Sequence, residues 1–217
     1  QQLVPRLPEF LRAYPEVRLE LDMADRLRSL ATEGFDLAIR QVVRPKHRGL
    51  AVIVHGFEGH PDGNWFPWLK QNLEKLGYEV VLEAMPNAHH PKLEEWFAAL
   101  DRHQGKFDAN TLLIGHSLGA YVLALYAARL ERPIQGIYLC APATNLIDWP
   151  AMRKMGLDSD VESVKAICQN EVDWEALPGK AKVVRAYLSD NDPYIPFAQT
   201  HEYLSERGVR VGVIKRA

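Results

Sequence analysis

A chain of 217 residues that is 47% hydrophobic is long enough to bury one core and to carry a smaller appendage. Twenty-six basic residues against 28 acidic ones leave a net charge near −2, so the chain lacks the excess positive field that attracts nucleic acid or an anionic membrane. Its two cysteines, Cys140 and Cys168, are too few for a disulfide framework and have neither a metal-binding nor a redox spacing.

The sequence contains no apolar run of the roughly 18 residues that a membrane span needs, and its N-terminus has no signal pattern. A reducing compartment fits the few cysteines. Composition therefore predicts a cytoplasmic protein without nucleic acid or membrane among its partners, and it leaves the oligomeric state open. The first residue is glutamine rather than methionine, which processing, a fusion or a partial reading frame would each explain.

The first 40 residues are predicted to form two helix–strand pairs, punctuated by Pro15 and Gly34. Residues 40–49 contain four basic residues, a proline and a glycine with little apolar content. This composition is typical of a connector. We therefore expect an appendage over residues 1–44 and a main domain over residues 50–217. The predicted helices are 3–14 and 25–33, and the predicted strands are 17–23 and 35–39.

From residue 50 onward, short apolar strands alternate regularly with helical segments. This alternation predicts an α/β fold, a mainly parallel sheet with helices on both faces and functional groups at the carboxyl ends of its strands. The predicted strand order in the sheet, by approximate first residue, is 79–51–111–136–183–210. The predicted strands are 51–55, 79–82, 111–114, 136–140, 183–188 and 209–214. The predicted helices are 64–76, 92–103, 118–130 and 196–207, with further helix between 147 and 175.

The clearest motif is Gly115-His-Ser-Leu-Gly119, which joins an apolar strand to an apolar helix. A G-x-S-x-G sequence in this context is typical of a nucleophile elbow, where glycines permit a sharp turn that exposes the serine. Ser117 is therefore the predicted nucleophile. The plainer alternative is a glycine-rich turn with a capping serine.

An oxyanion hole requires two backbone N–H donors. Leu118 opens the helix after the serine, and His55-Gly-Phe-Glu-Gly59 follows the first strand of the main domain. We expect the N–H groups of Phe57 and Leu118 to be the donors. The glycines alternatively serve only a tight turn. His55 is expected to be a structural hydrogen-bonding residue rather than a base.

The acid of a hydrolase triad follows the serine along the chain. Ser189-Asp-Asn-Asp-Pro-Tyr-Ile-Pro196 comes after an apolar strand, which places its carboxylates at the same edge of the sheet as the serine. Asp192 is the first candidate and Asp190 the second. A solvated turn with a capping aspartate is the alternative.

The catalytic histidine should follow the acid, after one more strand. Only His201 comes later than the acid, and we expect it on a solvent-facing helix. The sequence therefore predicts a chain without its catalytic base, or with His201 in that role. Four aromatic residues are candidates to wall a small acyl pocket, although core packing is the more common role at such spacing: Phe57, Trp65, Trp68 and Trp149.

Together these motifs resemble the small serine hydrolases related to retinoblastoma-binding protein 9, within the α/β-hydrolase family. The resemblance implies Ser117 as nucleophile, Asp192 as acid, no metal or other cofactor, and a histidine in a Gly-His-Phe segment after the last strand. The matching segments are Ala51-Val-Ile-Val-His-Gly-Phe-Glu-Gly59, Asn64-Trp-Phe-Pro-Trp-Leu69, Met85-Pro86, Ile114-Gly-His-Ser-Leu-Gly119 and Asp190-Asn-Asp-Pro-Tyr-Ile-Pro196.

A second resemblance is carried by residues 3–21 and by Glu33-Gly-Phe-Asp-Leu-Ala-Ile-Arg40. Through these segments, residues 3–40 resemble part of the effector-binding domain of LysR-type transcriptional regulators. No helix-turn-helix precedes them, so the resemblance implies a chimaeric chain rather than a regulator.

The sequence predicts a serine hydrolase that cleaves a small ester or amide through an acyl-enzyme. Its activity is expected to be impaired by the absence of the catalytic histidine. The alternatives are a non-catalytic binding protein on a hydrolase scaffold, a chain without a role of its own and, least of all, a ligand sensor of the LysR type.

Overall fold

The computed structural model describes residue 9 and residues 12–16, 48–154, 156 and 159–215. The chain divides into two units, Gln1–Val43 and Arg44–Ala217. The elements predicted for residues 3–39 fall almost entirely outside the described residues, and the fold below is that of the second unit.

The second unit is built on a six-stranded sheet in which every neighbouring pair of strands is parallel. The order of its strands is β2-β1-β3-β4-β5-β6, which confirms the predicted order. Parallel strands require crossover connections, and helices provide them here. The strands are β1 (Gly49–Val54), β2 (Tyr78–Glu83), β3 (Leu112–His116), β4 (Ile134–Cys140), β5 (Ala181–Ser189) and β6 (Arg210–Ile214).

The helices of this unit match the predicted segments to within three residues at each end. The region between residues 147 and 175 resolves into two short helices, and a single further turn precedes β5. The helices are α1 (Phe66–Lys75), α2 (Leu93–Gln104), α3 (Leu118–Ala128), α4 (Trp149–Lys154), α5 (Val161–Cys168), α6 (Leu177–Lys180) and α7 (Phe197–Glu206). No described helix is long and apolar enough to cross a membrane.

Two hydrophobic clusters cover opposite faces of the sheet. Alternate residues of β1 divide between them: Ala51 and Ile53 pack with Phe66 of α1, whereas Val52 and Val54 pack with α3 on the other face. All six residues of β1 are buried, as expected for a central strand of a parallel sheet that is covered on both sides.

Helix α3 lies inside the larger cluster. Ten of its eleven residues, Leu118 to Ala127, are buried, so it is apolar around its whole circumference. Because its N-terminus directly follows Ser117, this packing fixes the position of the serine in the fold.

Candidate active site

Ser117 lies at the turn between β3 and α3 and has a backbone conformation that non-glycine residues rarely adopt. Its φ is +52° and its ψ is −123°. Its N–H donates to the carbonyl of Cys140 at 2.9 Å, and its carbonyl accepts from Ala120 N–H at 3.0 Å. Strain of this kind persists where surrounding structure enforces it, and it is concentrated at functional sites.

Two glycines allow this turn to pack against the loop after β1. A Cβ at Gly119 would lie 2.2 Å from the carbonyl oxygen of His55, and a Cβ at Gly56 would lie 2.7 Å from Cβ of Ser117. Neither approach is sterically possible for a larger residue. The glycines therefore bring the loop that carries Phe57 directly beside the serine.

The two predicted oxyanion donors are both free. Within the described part of the chain, neither Phe57 N–H nor Leu118 N–H donates to a backbone or side-chain acceptor. The neighbouring amides are used: Gly59 N–H donates to Gly56 at 3.1 Å, and Glu58 N–H donates to Ala88 at 2.9 Å. These bonds fix the loop and leave the two amides available to an incoming oxyanion.

Asp192 lies three residues beyond β5, at the carboxyl edge of the sheet where β3 also ends. Its Oδ1 accepts from the N–H groups of Tyr194 and Ile195, both at 2.9 Å. Its Oδ2 has no hydrogen-bond partner among the residues that the structure describes. The carboxylate is thus held by one oxygen and free at the other. Asp190, by contrast, is exposed and only its backbone N–H is engaged, with Ile214 at 3.3 Å.

The charge of Asp192 affects the pKa of His116, the residue before the serine. Burial lowers the pKa of His116, and the charge of Asp192 partly opposes that effect. The imidazole stands edge-on to Trp65 and Phe66, with ring centroids 6.0 Å apart in each pair. Asp192 therefore lies within electrostatic reach of the turn that carries the candidate nucleophile.

His55 has the structural role expected from the sequence. Its Nε2 accepts from Met85 N–H at 3.0 Å, which requires the proton on Nδ1, and Nδ1 then donates to the carbonyl of Gly56 at 2.8 Å. Burial lowers its pKa. Both nitrogens are occupied, so His55 holds the oxyanion loop to the segment after β2 and cannot accept a proton from Ser117.

The other described histidines also have partners away from the serine. His201 lies on α7, where it contacts the Phe197 ring and lies 3.5 Å from Ser205 Oγ. Within residues 48–154, 156 and 159–215, no histidine hydrogen-bonds to Ser117 or Asp192. The remaining pairings are His60 with Asp62, His89 with Glu58, His90 with Asp160 and His103 with Glu83.

Sequence reasoning missed one connection at the edge of the site. Glu58, which follows Phe57 and has a φ of +53°, accepts from the hydroxyl of Ser159 and from its N–H at 3.3 Å. The next residue, Asp160, caps α5 by accepting from Ser163 N–H and also contacts His90 at 3.2 Å. The Asp-x-x-Ser spacing predicts the cap, but no local pattern predicts the Glu58–Ser159 pair.

The four aromatic residues considered for an acyl pocket have different environments. Trp65, Trp149 and Phe57 pack against the core, as the more common role predicts. That expectation is wrong for Trp68, which lies on the outer side of α1 and is 65% exposed. The described residues contain no group of three or more histidine, cysteine or carboxylate side chains that could hold a metal ion.

A parallel six-stranded sheet with a serine at a strained strand-to-helix turn defines the α/β-hydrolase fold. The chain belongs to the serine hydrolase family, whose sequence profile matches residues 51–217. The matched region begins after the predicted connector. The comparisons do not support the resemblance of residues 3–40 to LysR-type regulators, nor a chimaeric origin.

The chain is similar to YdeN of Bacillus subtilis (strain 168), with 28% identity over 148 residues that cover 67% of this chain and 72% of YdeN. Serine hydrolase RBBP9 of Rattus norvegicus is 21% identical over 164 residues, 75% of this chain and 77% of its own. The crystal structure of the B. subtilis ydeN gene product superposes with a TM-score of 0.65 at 24% identity, covering 77% of this chain and 86% of that one. Est1E from Butyrivibrio proteoclasticus superposes with a TM-score of 0.59 at 18% identity, covering 79% and 80%.

Proposed function

We propose that this protein is a serine hydrolase that cleaves a small ester or amide through an acyl-enzyme on Ser117. The observation that carries the proposal is the strained turn of Ser117, which packs against the loop that carries the free N–H of Phe57 and is followed by the free N–H of Leu118. Membership of the serine hydrolase family supports the same reaction class. Both cysteines are free, which agrees with a cytoplasmic location.

In the proposed reaction, Ser117 Oγ attacks the carbonyl carbon of the substrate and loses its proton to a histidine. The N–H groups of Phe57 and Leu118 stabilise the oxyanion of the tetrahedral intermediate. The alcohol or amine leaves with the proton from the histidine, and the acyl group remains on Ser117. Water then hydrolyses the acyl-enzyme by the same steps, releasing the acid and regenerating the serine.

Asp192 is the proposed acid of this triad. Oδ1 is held by two backbone N–H groups, so Oδ2 is fixed in position to accept from the histidine and to stabilise its protonated form. The preference for Asp192 over Asp190 rests on this geometry and on the proximity of Asp192 to His116. Phe57 carries one of the two donor N–H groups, and we propose that its side chain contacts a small acyl group.

The histidine is the part of the triad that the described residues do not supply. The family resemblance assigns it to a Gly-His-Phe segment that follows the last strand. We therefore propose that residues 1–217, tested without such a segment, hydrolyse esters slowly and retain only the contribution of the oxyanion donors and of substrate binding. Loss of a triad member typically leaves about 10³ to 10⁴-fold catalysis over water.

A second candidate function is non-catalytic binding on the same scaffold. The observation that favours it is that no described histidine bonds to Ser117 or Asp192. Under this alternative, Ser117 would be an unactivated hydroxyl, and a ligand would bind near it without turnover.

Turnover of p-nitrophenyl acetate by the chain and by a form extended with a Gly-His-Phe segment separates the two functions. Extension should raise the rate by several orders of magnitude if the rest of the machinery is in place, and Ser117→Ala should abolish the gain. A His201→Ala variant is the matched control and should not change the rate. A fast unextended chain that loses its activity with His201→Ala would instead make His201 the base.

A further inference from the structure

A cavity of about 360 Å³ lies between α3, the segment after α5, and α7. None of the proposed catalytic residues lines it. Its floor is buried and consists of Tyr121, Cys168, Val172 and Trp174, whereas its rim is largely exposed and polar. This volume lies within the range of small-molecule sites. The rim residues are Asn145, Gln169, Asn170, Glu171, Tyr203 and Arg207.

Aromatic rings give the cavity an apolar side. Trp174 and Tyr203 stand edge-to-face with their centroids 6.1 Å apart. The guanidinium of Arg207 lies 3.7 Å from the centroid of the Tyr203 ring, and its Nη1 donates to the Tyr203 carbonyl at 2.9 Å. Stacking and this hydrogen bond together hold the guanidinium of Arg207 at the rim. Binding of an anion would therefore cost little further side-chain entropy.

The rim carries opposite charges that do not neutralise each other. Glu171 and Arg207 both line the cavity, yet no ion pair within 4.0 Å joins them, and Arg207 pairs instead with Glu206 at 3.8 Å. Glu171 and Arg207 both affect the pKa of the buried Tyr121 hydroxyl. Burial is the main cause that raises the pKa of Tyr121, while Glu171 adds to this effect and Arg207 opposes it.

The floor also contains a donor without an acceptor. Trp174 is 7% exposed, and its indole N–H has no hydrogen-bond partner among the described residues. The hydroxyl of Tyr121, in contrast, donates to the carbonyl of Asn170 at 2.6 Å. A buried N–H without an acceptor is costly, and a small shift of the indole toward a bound oxygen would remove that cost.

We propose that this cavity binds a hydrophobic α-amino acid. The carboxylate of the ligand pairs with Arg207, its ammonium group pairs with Glu171, and its side chain lies against Trp174 and Tyr203. A molecule with only one of the two charges would leave the opposite rim charge unmatched. Two opposite charges that do not pair with each other, beside an aromatic floor, favour a zwitterion with an apolar body. This site is independent of the reaction proposed for Ser117.

The test compares three probes of similar size by isothermal titration calorimetry on the intact chain. L-phenylalanine carries both charges, 3-phenylpropionate lacks the ammonium group, and phenethylamine lacks the carboxylate. We expect L-phenylalanine to bind about tenfold or more tightly than either relative, because each relative loses one charge-assisted contact. The indole N–H resonance of Trp174, identified through Trp174→Phe, should shift on binding.

Two variants at the exposed rim identify the charges. Arg207→Gln should remove the advantage of L-phenylalanine over phenethylamine, and Glu171→Gln should remove its advantage over 3-phenylpropionate. Glu206→Gln is the matched control, since Glu206 adjoins Arg207 but does not line the cavity, and it should keep both preferences. Absence of saturable binding by L-phenylalanine up to its solubility, equal affinity for all three probes, or unchanged preferences in the two rim variants would overturn the proposal.

Discussion

The carboxylate of Glu58 accepts from both the hydroxyl and the backbone N–H of Ser159, although 101 positions of sequence separate the two residues. Glu58 directly follows Phe57, and its own N–H is tied to Ala88 at 2.9 Å. The pair therefore connects the loop of a proposed oxyanion donor to the segment before α5.

Removing this connection should loosen the oxyanion loop without unfolding the protein. We expect Glu58→Ala to slow phosphonylation of Ser117 by about tenfold, because a displaced amide donor loses part of its electrostatic contribution. Glu58→Gln retains an oxygen acceptor and the same backbone, so it should recover most of the rate. Labelling rates measured with a fluorophosphonate would contradict this role if the two variants were equally slow or equally fast.

Gly119 should be intolerant of even one added methyl group. The Cβ of an alanine there would lie 2.2 Å from the carbonyl oxygen of His55, and the backbone on both sides is buried. We expect Gly119→Ala to lower the free energy of unfolding by about 2 kcal/mol or more. At Gly105, a Cβ would meet nothing within 4 Å, and φ is −63°.

Gly105→Ala is therefore the matched control for Gly119→Ala. It should leave stability unchanged or raise it by up to about 1 kcal/mol, because alanine restricts the unfolded chain. Urea unfolding monitored by circular dichroism measures both changes. Equal stability of the two variants would show that the contact between the β1 loop and the serine turn is not tight.

Acid should destabilise the fold through two histidines, the buried His55 and the partly buried His116. Burial lowers the pKa values of His55 and His116 from the usual value of 6.5. Below that value the unfolded chain binds more protons than the folded chain, so stability falls as pH falls. The loss should begin as pH drops through about 7 and continue toward the lowered pKa values of the folded state.

A substitution that cannot titrate tests this pH dependence. His116→Phe keeps a ring beside Trp65 and Phe66 and should reduce the slope of unfolding free energy against pH between about pH 7 and pH 5. Identical slopes for His116→Phe and the parent chain would show that His116 does not contribute to the loss of stability in acid.

The first unit should be dispensable for the fold of the second. The second unit contains both hydrophobic clusters and the complete six-stranded sheet. Deletion of residues 1–44 is therefore expected to leave a cooperative thermal transition. Loss of that transition would show that these residues are integral to the hydrolase domain.

Strong local patterns made most of the fold predictable from sequence. The apolar runs of β1 and β3 and the alternation with helices led to the correct strand order. The G-x-S-x-G motif led to the sharp strand-to-helix turn, and the structure shows that its serine has a φ of +52°. These features depend on residues that are close together in the chain, and their physical causes are visible in composition and spacing.

Contacts between distant segments were not predictable in the same way. The Glu58–Ser159 pair depends on how two irregular loops meet above the sheet, and the cavity near Trp174 depends on the packing of three separate elements. The exposure of Trp68 was not predicted either. Trp65 and Trp68 are the same residue type, and only the rotation of α1 about its axis determines which of them faces the core.

The central claim is that Ser117 is the nucleophile of a serine hydrolase. Its most direct test is peptide mass spectrometry of the intact chain after reaction with a fluorophosphonate. We predict a single phosphonyl adduct on Ser117 that forms slowly in the chain and faster in its Gly-His-Phe extension. It should be absent from Ser117→Ala and slower to form in Gly56→Ala, where a Cβ would lie 2.7 Å from Cβ of Ser117. An adduct on another residue, or an unmodified Ser117 in both the chain and its Gly-His-Phe extension, would contradict the assignment.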